Sequence, residues 1–265
     1  MGNNSIDATQ GHWLLSKMGK RVLRPGGREL TLQMVEALKI TRGNSVVEFA
    51  PGLGFTARKI MEKHPDSYTG IELNREAAER LSGKFKASNF RFINAAAGDV
   101  PLPNQISDKV FGEAMLTMQP DHRKREIISE AFRLLKPGGL YGIHELALHP
   151  ETIDQQLKST IKKALAQTVK INARPLTAGE WKNILVEEGF EIQTVLTGKM
   201  LLLEPKRILQ DEGVFRTIKI GFNFLKHKDL GARLLKMRKV FRDYGNHLKA
   251  IVIIAQKPTS APLIC

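Results

Sequence analysis

Three acids stand at the ends of apolar, β-prone runs. Glu48 lies in Ser45-Val46-Val47-Glu48-Phe49, Glu72 closes Tyr68-Thr69-Gly70-Ile71-Glu72, and Asp99 follows Phe90-Arg91-Phe92-Ile93-Asn94-Ala95-Ala96. A carboxylate at the carboxyl end of a strand can accept hydrogen bonds from two ribose hydroxyls at once. The first run breaks into Pro51-Gly52-Leu53-Gly54, and Arg58 to Lys63 continue as a helix. Gly52 and Gly54 carry no Cβ, so backbone can come close to a ligand there. Val46 to Phe49 read as a short strand buried on both faces, as in a parallel sheet. Strand, glycine turn and helix open a βαβ unit with its ligand at the strand's carboxyl end.

Two ligand chemistries fit this turn. Gly52-x-Gly54-x-x-Ala57, with Glu72 downstream, matches a dinucleotide fingerprint. Glu48 argues otherwise, because a carboxylate just before the turn repels a pyrophosphate. A ligand with a cationic amino-acid end is favoured there, and S-adenosylmethionine has an α-amino group, a sulfonium and no phosphate. Glu48-x-x-x-Gly52-x-Gly54 resembles the first motif of class I S-adenosylmethionine-dependent methyltransferases. Ala50 stands where that family usually has glycine.

Further stretches carry the resemblance. Glu72 occupies the place of the family's ribose-binding acid. Gly98-Asp99-Val100, followed by Leu102-Pro103, resembles the adenine-binding turn, which implies a carboxylate from Asp99 and a backbone N–H from Val100 for the base. Leu134-Leu135-Lys136-Pro137-Gly138-Gly139-Leu140 is similar to the family's turn into the fifth strand and has a structural role only. The implied fold is α/β: a doubly wound, seven-stranded, mainly parallel, Rossmann-like sheet with an N-terminal lid and a C-terminal helical insertion. The implied cofactor is S-adenosylmethionine, held by Glu48, Ala50, Gly52, Gly54, Glu72, Leu73, Asp99, Val100 and Glu113. Transfer would be an in-line displacement in which orientation supplies most of the rate. Glu113, at the end of the fourth strand, and His144, at the end of the fifth, are candidates to orient or deprotonate the substrate. For His144 the plainer alternative is a hydrogen-bonded core histidine.

The elements around these residues follow from local pattern. Leu30, Met34, Val35 and Leu38 recur at helical spacing. His122 to Leu135 and Glu151 to Ile171 read as helices. Thr177 and Glu180 form a capping box. The domain organisation expected is a lid over residues 1–30, a methyltransferase domain over 31–257 and a tail over 258–265. Within the domain, 151–176 would cover the substrate and 199–247 would be a basic helical insertion. The lid is expected from His12-Trp13-Leu14-Leu15 and the basic residues after it.

Composition sets the bounds. The chain has 265 residues, 42% hydrophobic, with a net charge of +14. That suits one α/β domain with additions. The single cysteine is Cys265, which leaves no disulfide framework or cysteine metal site. No cluster of ligand spacing is visible, so metal-independent chemistry is expected. No apolar run approaches the ~20 residues of a membrane span, and Met1 to Gln10 lack an apolar signal core. A reducing cytoplasm is the expected location. The positive charge favours anionic partners. The basic, apolar-interleaved stretch of residues 199–249 could lie on an anionic surface or pack as two helices with a solvated basic face. It could equally be a homodimer face.

Glu113-Ala114-Met115-Leu116 lacks the Asn/Asp-Pro-Pro-Tyr/Phe motif of base-amino methylation, so a small-molecule, quinone or lipid-like acceptor is expected. Three alternatives stay open: a nucleic-acid methyltransferase, a nicotinamide oxidoreductase, and a non-catalytic module that binds anionic surfaces.

Overall fold

A computed structural model describes residues 19–20, 24–169 and 172–259. The expected lid helix around Trp13 and the tail beyond residue 259 lie outside the described residues. The chain runs α1 (Gly27–Ala37), β1 (Ser45–Phe49), α2 (Phe55–Met61), β2 (Ser67–Glu72), α3 (Arg75–Lys84), β3 (Phe90–Asn94) and β4 (Ser107–Glu113). It continues through α4 (Asp121–Leu134), β5 (Leu135–Leu148), α5 (Gln155–Val169), β6 (Leu176–Thr177), α6 (Ala178–Glu187) and β7 (Glu191–Lys199). Three helices follow, α7 (Pro205–Glu212), α8 (Val214–Lys226) and α9 (Lys228–Asp243), before β8 (Leu248–Gln256).

The sheet order is β3-β2-β1-β4-β5-β8-β7, with the two-residue β6 pairing β5 off this path. β8 is antiparallel to both β5 and β7, and the other pairings are parallel. The chain leaves β1 towards β2 and β3, then returns to place β4 on the other side of β1. That reversal opens a crevice at the carboxyl ends of β1 and β4.

Side-chain alternation divides β1 between two cores. Val47 and Phe49 join α4 and α6 through Ile127, Leu134, Trp181 and Leu185. Val46 faces the other way, against Leu30, Met34, Ile60, Leu81 and Phe85 of α1, α2 and α3. Both faces are covered, as a run apolar but for Glu48 predicts. Local signals fix the helix starts. Asn74 caps α3 by accepting from the Ala77 N–H at 2.8 Å. Thr177 and Glu180 form the expected capping box at α6.

The insertion differs from the pair of helices considered above. It folds as three, and Leu234, Met237 and Phe241 of α9 pack with Ile161 and Leu165 of α5 into a third core. Gly213, with φ of 77°, breaks the segment between α7 and α8.

Candidate active site

The crevice at the switch point is a hollow of about 530 Å³. Ala50, Gly52, Glu72 and Leu73 line one side, Ala95 to Gly98 a second, and Glu113, Ala114, Met115 and Met118 a third. Ala50 and Ala114 end β1 and β4 with φ of 52° and 53°. Such left-handed conformations cost a non-glycine residue roughly 1–2 kcal/mol. Both turn the chain sharply at the rim.

Glu72 is one of two acids that line the hollow, with Glu113. One carboxylate oxygen accepts from the Asn74 N–H at 3.1 Å and the other from the Gly52 N–H at 3.4 Å. Burial raises its pKa, opposed by these same backbone donors. Beside it Leu73 leaves 65% of its surface exposed.

Glu48 does not line the hollow. Alternation turns it to the Val46 face, where it is 2% exposed and accepts from the Tyr68 hydroxyl. Burial pushes its carboxyl up to about 8, so it is mostly neutral at pH 7. This corrects the expectation that Glu48 offers its charge to a cationic ligand: it supports the turn from behind. The consequence for pH is calculable in sign. A carboxyl raised in the folded state stabilises fully below its ordinary value of 4.5 and loses that contribution as pH rises through about 8. Glu48→Gln keeps an acceptor for Tyr68 without the charge. Thermal melts at pH 5 and pH 8 should show the variant gaining on the parent at the higher pH. A parallel fall in both proteins would show that Glu48 is already ionised without penalty.

Asp99 and Val100 are also displaced from their expected place. Asp99 is exposed, turned outward by a tight turn in which its N–H donates to the Ala96 carbonyl. The Val100 N–H donates to Glu130 at 2.7 Å, so it has no hydrogen left for a base. The lining run Ala95-Ala96-Ala97-Gly98 carries no carboxylate. The two glycines divide their work as well. A Cβ at Gly54 would meet Phe85 at 2.7 Å and Leu81 at 2.8 Å, so that glycine serves packing of α2 against α3. A Cβ at Gly52 would meet only the Ala50 carbonyl, at 3.9 Å, leaving open space on that side.

Glu113 lines the hollow, yet its carboxylate is fully engaged. It accepts from Arg24, from Thr56, from Thr31 at 2.7 Å, and faces His144 Nδ1 at 2.8 Å. Burial alone would raise its pKa, but Arg24 first, then His144 and Thr56, outweigh burial and hold it near 2. His144 is 0% exposed. Its Nε2 lies 2.6 Å from the Pro25 carbonyl oxygen, which can only accept, so that nitrogen carries a hydrogen. A sealed ring with both nitrogens engaged cannot take a proton from a substrate. The expectation of a general base at His144 is therefore corrected to that of a positioning residue, which ties the segment before α1 to β4.

Sequence reasoning passed over two groups here. Arg24 reaches the hollow from the segment before α1. Glu145 is 0% exposed and accepts from the N–H groups of Met115, Leu116 and Thr117 and from the Thr117 hydroxyl, all within 3.0 Å. It clamps the short 3-10 turn Leu116–Met118 that borders the hollow. The signal available for it was an acid one residue past His144 in an otherwise apolar strand.

A doubly wound sheet, a glycine turn at its switch point and a ribose-type acid on the next strand define a nucleoside-cofactor enzyme of the α/β class. Comparison with known proteins makes this specific. A family model described as a methyltransferase domain matches residues 46–139. An uncharacterized protein of Haemophilus influenzae is 32% identical over 251 residues, covering 93% of this chain and 98% of that protein. Erythromycin 3''-O-methyltransferase of Saccharopolyspora erythraea is 29% identical over 142 residues, covering 51% of this chain and 44% of that protein. Among solved structures, a phosphoethanolamine N-methyltransferase 2 of Haemonchus contortus in complex with S-adenosyl-L-methionine shares the fold, with a TM-score of 0.70 at 18% identity. The match covers 96% of this chain and 58% of that one. The chain belongs to the class I S-adenosylmethionine-dependent methyltransferases. It is an enzyme, and S-adenosylmethionine is its cofactor.

Proposed function

We propose that this chain transfers the methyl of S-adenosylmethionine to a small-molecule or lipid-like acceptor, with residues 31–257 forming the catalytic domain. The observation that carries the reading is the lining beyond Glu113. Ala114, Met115, Met118 and Ile127, with Gln119 and Arg123 among them, give that border a partly apolar, adaptable surface, suited to an amphiphilic acceptor. The erythromycin enzyme is named for a small-molecule acceptor, which supports the same class.

The residues present fit the cofactor. Glu72 takes the ribose hydroxyls, Leu73 and the Ala95–Gly98 run enclose the adenine, and Gly52 leaves room for the amino-acid end. Arg24, held by Glu113 and Thr56, offers its guanidinium to the cofactor carboxylate. The cofactor supplies an electrophilic methyl on a sulfonium. The protein's share is alignment: Glu113 and His144 fix Arg24 and the segment before α1, and Glu145 fixes the 115–118 turn against which the acceptor lies. Positioning of this kind can contribute several orders of magnitude in rate. Among the described residues no three His, Cys, Asp or Glu side chains are grouped to hold a metal.

The test uses cofactor labelled on the methyl. The full chain is incubated with a metabolite extract, a lipid extract and total RNA in parallel. Label is expected in the metabolite or lipid fraction. Label confined to RNA would overturn the acceptor class and leave the family intact.

A further inference from the structure

The insertion carries a surface that methyl transfer does not use. α8 has two unlike faces. Phe224 turns inward and packs against the third core, and Ile220 is half-buried. On the other side Phe215, Ile218 and Phe222 remain 91%, 66% and 68% exposed. Positions i, i+3 and i+7 of a helix fall in one row. Val214, 61% exposed, widens the row at its start. Contiguous exposed aromatic and aliphatic side chains of this size mark an interaction site.

Charge identifies the partner. Lys219 and Lys226 are exposed beside the row and make no ion pair among the described residues. Arg216 lies further round on the same side, paired with Glu212 at 3.7 Å. The surface thus offers an apolar row with these two unpaired lysines along one edge. We propose that α8 seats the protein on an anionic lipid bilayer, with Phe215, Ile218 and Phe222 at the acyl boundary and Lys219 and Lys226 among the headgroup phosphates. At 13 residues α8 is too short to cross a bilayer, and among the described residues no helix is long and apolar enough to do so. A second copy of the chain fits less well, because a two-fold contact through this row brings lysines against lysines. Nucleic acid would use the cations and leave the apolar row in water. The proposal holds whatever the methyl acceptor is.

Vesicle flotation of the full chain tests it, with phosphatidylcholine alone set against phosphatidylcholine mixed with phosphatidylglycerol. Binding to the mixed vesicles should be roughly tenfold tighter or more, and should weaken with added salt. Phe215→Ser, Ile218→Ser and Phe222→Ser together should lower that binding about a hundredfold. Lys219→Glu with Lys226→Glu should lower it about tenfold. Both variants should keep the parent's melting temperature and its affinity for S-adenosylmethionine, which separates this result from any failure of the methyl-transfer reading. No binding by the parent, or equal binding by the serine variant, overturns the proposal. So does a parent dimer that the serine variant converts to monomer, which would make the row a contact between copies.

Discussion

Glu72→Ala is expected to weaken S-adenosylmethionine binding by about a hundredfold. A hydrogen bond to a charged acceptor contributes roughly 1.5–3 kcal/mol, and the ribose offers two hydroxyls to this carboxylate. Even the low end of that range, summed over two bonds, gives the hundredfold figure at ~1.4 kcal/mol per decade. The loss reaches the protein side as well. The Gly52 and Asn74 N–H groups both donate to Glu72, so its removal loosens the glycine turn and the start of α3 together. Calorimetric titration with S-adenosylmethionine and with its demethylated product reads the effect directly. The fold should persist, because Glu72 sits at the rim and its neighbours in the sheet stay paired. An affinity within about threefold of the parent would mean that the hollow does not hold a ribose at this acid.

Glu145→Ala should be the most damaging single change to stability among the site residues. It leaves three buried N–H groups and a hydroxyl without their acceptor. An unsatisfied buried donor costs about 1–3 kcal/mol, so a loss of about 4 kcal/mol is expected after partial relaxation. For a chain of this size that lowers the melting temperature by about 10 °C. Glu145→Gln should lie between, because its amide oxygen can serve one pair of donors while its NH₂ meets the other pair. Cofactor affinity should fall in the same order, since Met115 and Met118 border the hollow. Thermal melts of the three proteins, with titrations on whatever remains folded, check the ranking. If both variants melt with the parent, the 115–118 turn is ordered by something other than this carboxylate.

Much of the frame was legible from residues close together in the chain. The run Ser45 to Phe49, the break at Pro51 to Gly54 and the helix after it form as read, because strand, turn and helix are each specified within a few positions. The capping box at Thr177 and Glu180 is a local pattern of the same kind. Glu72 kept its place because β2 ends there, and the end of a central parallel strand is where a crevice forms.

The acids that moved did so for reasons that lie elsewhere in the chain. Glu48 shares a face with Val46. Double burial of β1 hides that parity, since both of its faces are apolar, and Tyr68 on the neighbouring strand then claims the carboxylate. Asp99 lost its role to a turn at Ala96 and to Glu130, an α4 side chain 30 residues away that takes the Val100 N–H. Arg24 gained a role through Glu113, 89 residues away.

The sequence by itself determined the strand, the glycine turn and the helix after it, which follow from periodicity and turn chemistry over short spans, and its motifs resembled those of the family whose fold the chain adopts. Only the tertiary structure decided which carboxylates line the hollow and which are spent on the protein's own hydrogen bonds. A buried donor must find an acceptor somewhere, and which one it finds depends on the strands and helices that packing brings beside it.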